Sequence, residues 1–147
     1  MSNTFKHRNL PHLFLSARET LMQFFRPILS NAGLTEQQWR VLRTLHEEKD
    51  LDAATLAQRA QLLSPSLTRM LRFLEDANLI ERHPAPEDMR RQVIRLSAKG
   101  RKTVISISPQ IEAVYQQFEE AIGPKLLLSI YKDVDDMVER VQRLTNT

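Results

Sequence analysis

The chain has no cysteine, three glycines, one tryptophan and four histidines in 147 residues. Without cysteine there are no disulfides, no thiol redox sensing and no thiol nucleophile. So few glycines leave no phosphate-cradling loop, and neither Gly-x-Ser-x-Gly nor His-Glu-x-x-His occurs. The histidines are scattered, so neither enzymatic activity nor a cofactor is expected. His46, Glu47 and Glu48 are neighbours, but successive helical residues diverge by about 100° and cannot all face one ion. A metal site there would need donors from elsewhere, and none is expected. No apolar run approaches the roughly 20 residues of a membrane helix, and the polar N-terminus lacks a signal-peptide core, so a cytoplasmic protein without membrane association is expected. There is no low-complexity tract or internal repeat. The length suits one sizeable core, a single domain over residues 1–147.

What the chain does have is an uneven charge distribution. Its net charge is +3, yet residues 59–101 hold nine Lys/Arg against five Asp/Glu, giving that segment +4 and the remainder −1. A polyanion binding this stripe should be lost steeply as salt rises. In its middle, Ser64 is a good helix N-cap and Pro65 suits the first helical position, where no amide donor is needed. At 100° per residue, Leu67, Met70, Leu71, Leu74 and Ala77 share one arc while Pro65, Thr68, Arg69 and Arg72 share the other. One face packs and the other reaches outward. An ordinary solvated face has the same pattern, so the flanks must decide between the two readings.

Upstream, Asp52 caps a short helix whose Leu56, Ala57 and Ala60 face inward, and three or four residues separate it from Ser64. That is helix-turn-helix spacing. Downstream, Leu79–Arg82 and Gln92–Leu96 read as two strands joined by a polar tip over residues 83–91 that carries two prolines. The tip is a wing. Ser64, Pro65, Ser66, Thr68, Arg69 and Arg72 then form a surface for base edges in a major groove. Arg90 would enter a minor groove, with Asp88, two residues away on the same side of the strand, orienting its guanidinium, and Arg91 would contact phosphate.

Asp88-x-Arg90 followed by Val93-x-Arg95-Leu96-Ser97-x-x-Gly100 resembles the wing-to-helix signature of the MarR family of winged-helix regulators. Ser97 replaces the usual threonine and caps a helix equally well. The resemblance covers the whole length. Ala17-Arg18-Glu19, Phe24-Phe25-Arg26-Pro27-Ile28 and Leu34-Thr35-Glu36-Gln37-Gln38-Trp39-Arg40 resemble the branch that represses homoprotocatechuate degradation operons. The resemblance implies a mainly α fold with a small β-wing, in which a winged helix-turn-helix lobe (35–97) sits on an all-helical dimerisation base (10–32 and 98–147). It also implies a repressor of an aromatic-catabolism operon, bound to double-stranded operator DNA and released by a small aromatic carboxylate.

Residues 1–8, with Lys6, His7 and Arg8, read as a loose arm. A long helix follows to about Asn31, with an apolar face of Leu10, Phe14, Ala17, Leu21, Phe25, Ile28 and Leu29 and a kink near Arg26 imposed by Pro27. Arg18 falls inside that apolar arc, where a charge needs a partner. An acidic residue across a dimer would serve, and so would a ligand carboxylate, which matches guanidinium's flat fork. Thr35 and Gln38 form a possible capping box for the next helix, which points Val41, Leu42 and Leu45 inward. Trp39 and Arg43 lie at one edge of that face, able either to line an aromatic-ligand pocket or to close the core with arginine over the indole. His12 and Ser16 are polar neighbours for a ligand's phenolic oxygens. Ser97 caps a helix continuing to Ile122, Gly123-Pro124 breaks it, and a final helix repeats Leu127, Ile130, Tyr131, Val134, Met137, Val138, Val141 and Leu144. Apolar faces this wide call for a partner chain, most economically in a symmetric homodimer.

Overall fold

A computed structural model describes residues 4–146. Seven helices and two strands follow in the order α1 (Leu10–Met22), α2 (Arg26–Asn31), α3 (Glu36–Glu48), α4 (Ala53–Ala60), α5 (Ser64–Asp76), β1 (Ile80–Ala85), β2 (Asp88–Leu96), α6 (Ala98–Ile122) and α7 (Pro124–Thr145). The described residues fall into two compact units that divide between Pro109 and Gln110, inside α6. The first holds the winged helix-turn-helix. The second holds the end of α6 and all of α7.

Local chemistry sets most boundaries of the first unit. The Thr35 hydroxyl accepts from the Gln38 amide while the Gln38 side chain accepts from the Thr35 amide, a complete capping box. The Asp52 carboxylate caps α4 through the Thr55 amide at 2.8 Å. Leu42, Leu45, Leu56, Leu67, Leu71, Leu74 and Ile94 are buried, so α3, α4, α5 and β2 supply one core. Each such leucine or isoleucine contributes about 1.5–3 kcal/mol by leaving water.

Four expectations need correction. The long N-terminal helix is two helices, and the break comes before the proline. Pro27 cannot donate to Gln23, and the preceding turn tightens, with the Phe24 and Phe25 amides bonding to Leu21 and Met22 three residues back. Ser64 is the first residue of α5 rather than its cap. The Leu67 amide is already taken by the Leu63 carbonyl at 2.9 Å, so the cap position falls on Leu63 and no side chain caps this helix. The strands run further into the wing than expected, pairing antiparallel from Ile80 with Leu96 to Pro84 with Gln92, and a bulge precedes the Ala85–Asp88 pair. β1 is an edge strand, so Pro84 can sit where no ladder donor is required. The Asp88 carboxylate accepts from the Arg90 backbone amide at 3.0 Å instead of orienting the guanidinium.

The wing is anchored at its base. Leu51 bonds to Ile94 through both backbone groups, and Arg95 reaches Asp50 at 3.1 Å. Just beyond, Ser97 accepts from the Gly100 amide and donates to the Asn78 carbonyl, tying the start of α6 to the end of α5. A Cβ on Gly100 would lie 2.1 Å from the Leu79 carbonyl oxygen, so this position admits only glycine without backbone movement.

Of the expected loose arm, residues 1–3 lie outside the described residues, and residues 4–9 have neither helix nor strand. Asn9 ends the arm by capping α1. Neither α1 nor α7 contains a buried residue. Leu10, Leu13, Phe14, Leu15 and Leu21 on α1, and Leu126, Leu128, Ile130, Tyr131, Val138, Val141 and Leu144 on α7, are all exposed. Among the described residues, no helix is long and apolar enough to cross a membrane.

Candidate nucleic-acid interface and effector site

Helix α5 separates its residues into a packed and an exposed face. Leu67, Leu71 and Leu74 are buried, Met70, Ser66 and Ala77 are half-buried, and Ser64, Pro65, Thr68, Arg69 and Arg72 are exposed. The Thr68 hydroxyl donates to the Ser64 carbonyl at 3.1 Å, which holds its side chain along the helix. Among the described residues, Arg69 and Arg72 find no ion-pair or side-chain hydrogen-bond partner. Arg90 at the wing tip is also exposed, and its guanidinium likewise meets no partner among them.

The other arginines of the wing and its base are neutralised. Arg91 lies 3.6 Å from Asp52 and 3.4 Å from Glu87, Arg82 3.4 Å from Glu75, and Arg59 3.3 Å from Glu48. The Asp52 carboxyl is held below the usual carboxylate range by hydrogen bonds from the Thr55 backbone amide and side chain, with a smaller contribution from Arg91. Arg91 therefore ties the wing to the N-terminus of α4, a role that sequence reasoning missed because Asp52 was read only as a cap. Leu63 and Met89, 78% and 73% exposed, are apolar residues on the same helix start and wing tip. Their contribution to this surface was also missed, since neither fits a polar-contact pattern.

The second cluster expected from the sequence is arranged differently. Arg18 contacts Glu36, the first residue of α3, and lies 3.8 Å from Glu19. Arg26 clamps Glu19 with two hydrogen bonds of 2.9 Å and comes within 3.8 Å of Glu36. Two arginines and two glutamates thus join α1, α2 and α3. The pairing lowers the Glu19 carboxyl and raises the Arg26 guanidinium, each chiefly through their shared hydrogen bonds. Arg18 therefore has an acidic partner within its own chain. Glu36 escaped sequence reasoning because an acid in a helix's first turn is explained by the helix dipole alone.

Trp39 and Arg43 are half-buried on successive turns of α3, and the Arg43 Nε donates to Glu47 at 2.8 Å. His12 and Ser16 are exposed on α1 and form no side-chain hydrogen bond with Arg18. On the wheel they lie at least about 120° from it, so one molecule of α1 does not aim all three at one point. Among the described residues, no three His, Asp or Glu side chains are grouped to hold a metal ion.

Comparison with known proteins connects these features. The MarR family matches residues 34–92, from the start of α3 through the wing. The HTH-type transcriptional regulator FarR of Neisseria gonorrhoeae is 37% identical over 142 residues, 97% of either chain. The chain belongs to the MarR family. The homoprotocatechuate degradative operon repressor of Escherichia coli is 41% identical over 113 residues, covering 77% of this chain and 76% of the repressor. The crystal structure of NadR in complex with 4-hydroxyphenylacetate superposes with a TM-score of 0.85 at 37% identity, over 93% of this chain and 97% of NadR. The protein is thus a MarR-family transcriptional regulator of winged-helix fold, and its relatives are regulators rather than enzymes.

Proposed function

We propose that the protein is a homodimeric cytoplasmic repressor that binds a pseudo-palindromic duplex operator and releases it on binding a small aromatic carboxylate of the hydroxyphenylacetate class, 3,4-dihydroxyphenylacetate included. In this role it controls an aromatic-catabolism operon and performs no catalysis. The observation that carries the DNA half is the trio of exposed, uncompensated arginines, Arg69 and Arg72 on α5 and Arg90 on the wing, in a region whose other arginines are paired. An unpaired guanidinium gives up no protein partner when it meets a phosphate or a guanine edge. The exposed apolar sides of α1 and α7 support a second copy as the partner that covers them. Two lobes would then meet half-sites centred about one helical turn, roughly 10 bp, apart.

The effector half rests on the likeness to the homoprotocatechuate repressor and to NadR, whose structure holds 4-hydroxyphenylacetate. The ligand's carboxylate would take Arg18 from Glu36, its ring would stack on Trp39, and His12, Ser16 and Arg43 would meet its phenolic oxygens, with His12 and Ser16 contributed by the partner's α1. To induce, the ligand must favour the DNA-incompetent arrangement. A tenfold loss of operator affinity requires about 1.4 kcal/mol of such preference. Titrating the protein on a duplex selected from a random library, with and without a panel of aromatic carboxylates, tests both halves. Release by hydroxyphenylacetates but not by aliphatic acids is the expected result.

The Arg18–Glu36 contact favours a second reading, a regulator of the same fold that ignores ligand because Arg18 is already neutralised. In that case the duplex binds and no aromatic acid releases it.

A further inference from the structure

Both helices of the helix-turn-helix are gripped at their C-terminal ends by cations from outside the motif. From α3, the Arg40 Nη1 donates to the Ala60 carbonyl at 3.2 Å and to the Gln61 carbonyl at 3.4 Å. From the start of α6, the Lys99 Nζ donates to the Ala77 carbonyl at 3.0 Å. The last carbonyls of a helix lack intrahelical donors, and the negative end of the helix dipole favours a cation there. The two grips differ in kind. Lys99 is exposed, whereas Arg40 is half-buried, and its Nε is buried with no hydrogen-bond partner. A partly desolvated guanidinium here is held by the turn's carbonyls, whose hydrogen bonds offset part of its cost.

That turn is three residues long, 61–63, and starts from an unusual conformation. Gln61 has φ 56°, the left-handed region that a residue with a Cβ enters reluctantly. Its amide bonds to Gln58 and the Leu62 amide to Ala57, closing α4, and Leu63 supplies the first carbonyl of α5. The direction of α5 therefore follows from the geometry of Gln61, the residue whose carbonyl Arg40 holds.

We propose that Arg40 is a positioning residue for DNA binding, locking the α4–α5 turn to α3 and so fixing the angle at which α5 is presented. Arg40 adjoins Trp39 and precedes Arg43 by three residues, so a rotation of α3 about its axis moves both the effector candidates and the strut. The strut gives an effector on α3 a mechanical route to the recognition helix through one side chain. The inference rests on the DNA-binding reading above.

The test uses the full chain with Arg40→Met, which keeps an unbranched stem without donors, and Arg40→Lys, which restores one cation. Amide exchange at Gln61 and Leu62 is measured without DNA, and affinity is measured over a salt series for a duplex that the parent selects from a random library. Arg40→Met should speed exchange at both amides about tenfold and weaken binding about tenfold with an unchanged salt slope, because no phosphate contact is lost. Arg40→Lys should recover part of both. A lower melting temperature with unchanged affinity per folded molecule would make Arg40 merely structural and overturn the proposal. A salt slope reduced by about 0.9 with normal exchange would make it a direct phosphate contact, and would overturn it too. If the parent selects no duplex, the DNA-binding reading fails by itself, and the exchange data alone decide whether the strut exists.

Discussion

The arginines of the two candidate sites stand in opposite electrostatic conditions, and the contrast between α5 with the wing tip and the α1–α3 junction is instructive. Arg69, Arg72 and Arg90 stand exposed without carboxylates, while Arg18, Arg26 and Arg43 each face one or more glutamates. The first group gives up no protein partner when it meets a polyanion. The second group is already paired, so a small anion there competes with a glutamate. Under the proposed function, this difference would separate a constitutive DNA surface from a site that responds above some ligand concentration.

The largest expected effect tests the first half of that contrast. Arg69→Ala and Arg72→Ala should each weaken operator binding by about 1–3 kcal/mol, relaxing specificity at one position if the contact is to a base. Where a phosphate contact is lost, the slope of log affinity against log salt should fall by about 0.9. Neither side chain packs in the core, so melting should be unaffected. Two variants that bind like the parent at every salt concentration would leave the α5 face as plain solvated surface and erase the contrast.

The second half is tested at Arg18 and Glu36. Arg18→Ala should leave operator binding intact and abolish release by hydroxyphenylacetates. Glu36→Gln removes the resident competitor, and should let the ligand act at concentrations lower by about tenfold, or about 1.4 kcal/mol. Glu36→Gln responding no better than the parent would show that Glu36 does not compete, and equal responses of Arg18→Ala and parent would reduce Arg18 to an ion-pair partner.

A smaller effect separates Arg90 from its neighbour Arg91. Arg90 has no partner among the described residues, whereas Arg91 is held by Asp52 and Glu87, so under the proposed function Arg90 is the one of the two expected to enter a narrow minor groove. Arg90→Ala should cost about 1 kcal/mol on duplexes with A·T-rich flanks and less on G·C-rich ones, where groove potential is weaker. Arg91→Ala should cost less than that on both. Equal losses for Arg90→Ala on both flanks would make Arg90 an ordinary phosphate contact.

How much of this was legible in the sequence follows from the range of each interaction. The capping box at Thr35 and Gln38, the Asp52 and Ser97 caps, the Gly123-Pro124 break and the buried arc of α5 are set within a few residues, where spacing alone decides. The split of the N-terminal helix was half legible, since Pro27 announced a defect but not the tightened turn ahead of it. Ser64 failed as a cap because the competing Leu63 carbonyl satisfied the same amide, a choice between two nearly equivalent local solutions. Glu36 against Arg18, Leu51 against Ile94 and Arg91 against Asp52 join elements far apart in sequence, and no local pattern records such pairings. Asp88 was placed on the correct hairpin but given the wrong partner, because a period of two sets which side of the strand a side chain takes and does not choose between a neighbour's guanidinium and its backbone amide.

Asp52 lies where both conditions meet, capping α4 and pairing Arg91, and it gives the most pH-specific prediction. Its carboxyl is depressed first by the Thr55 amide, then by the Thr55 side chain, with Arg91 contributing less. A depressed carboxylate stabilises the fold fully above its unfolded pKa, near the ordinary value of 3.8, and loses that contribution as pH falls through the lower folded value. Asp52→Ala should therefore cost about 1 kcal/mol near neutrality, the usual worth of a lost N-cap, and the gap to the parent should narrow as the solution is acidified below about pH 4. Asp52→Asn, which keeps a capping oxygen without the charge, should retain most of the neutral-pH stability and lack the acid-dependent change. Because the Thr55 amide outweighs Arg91, removing the guanidinium by Arg91→Ala should leave the acid transition of Asp52 nearly in place. Thermal melts of the parent and these three variants across the acid range check the ordering. A transition that vanishes in Arg91→Ala would mean that the ion pair, and not the cap, governs Asp52, and would move Arg91 from a wing tie to the dominant partner of α4.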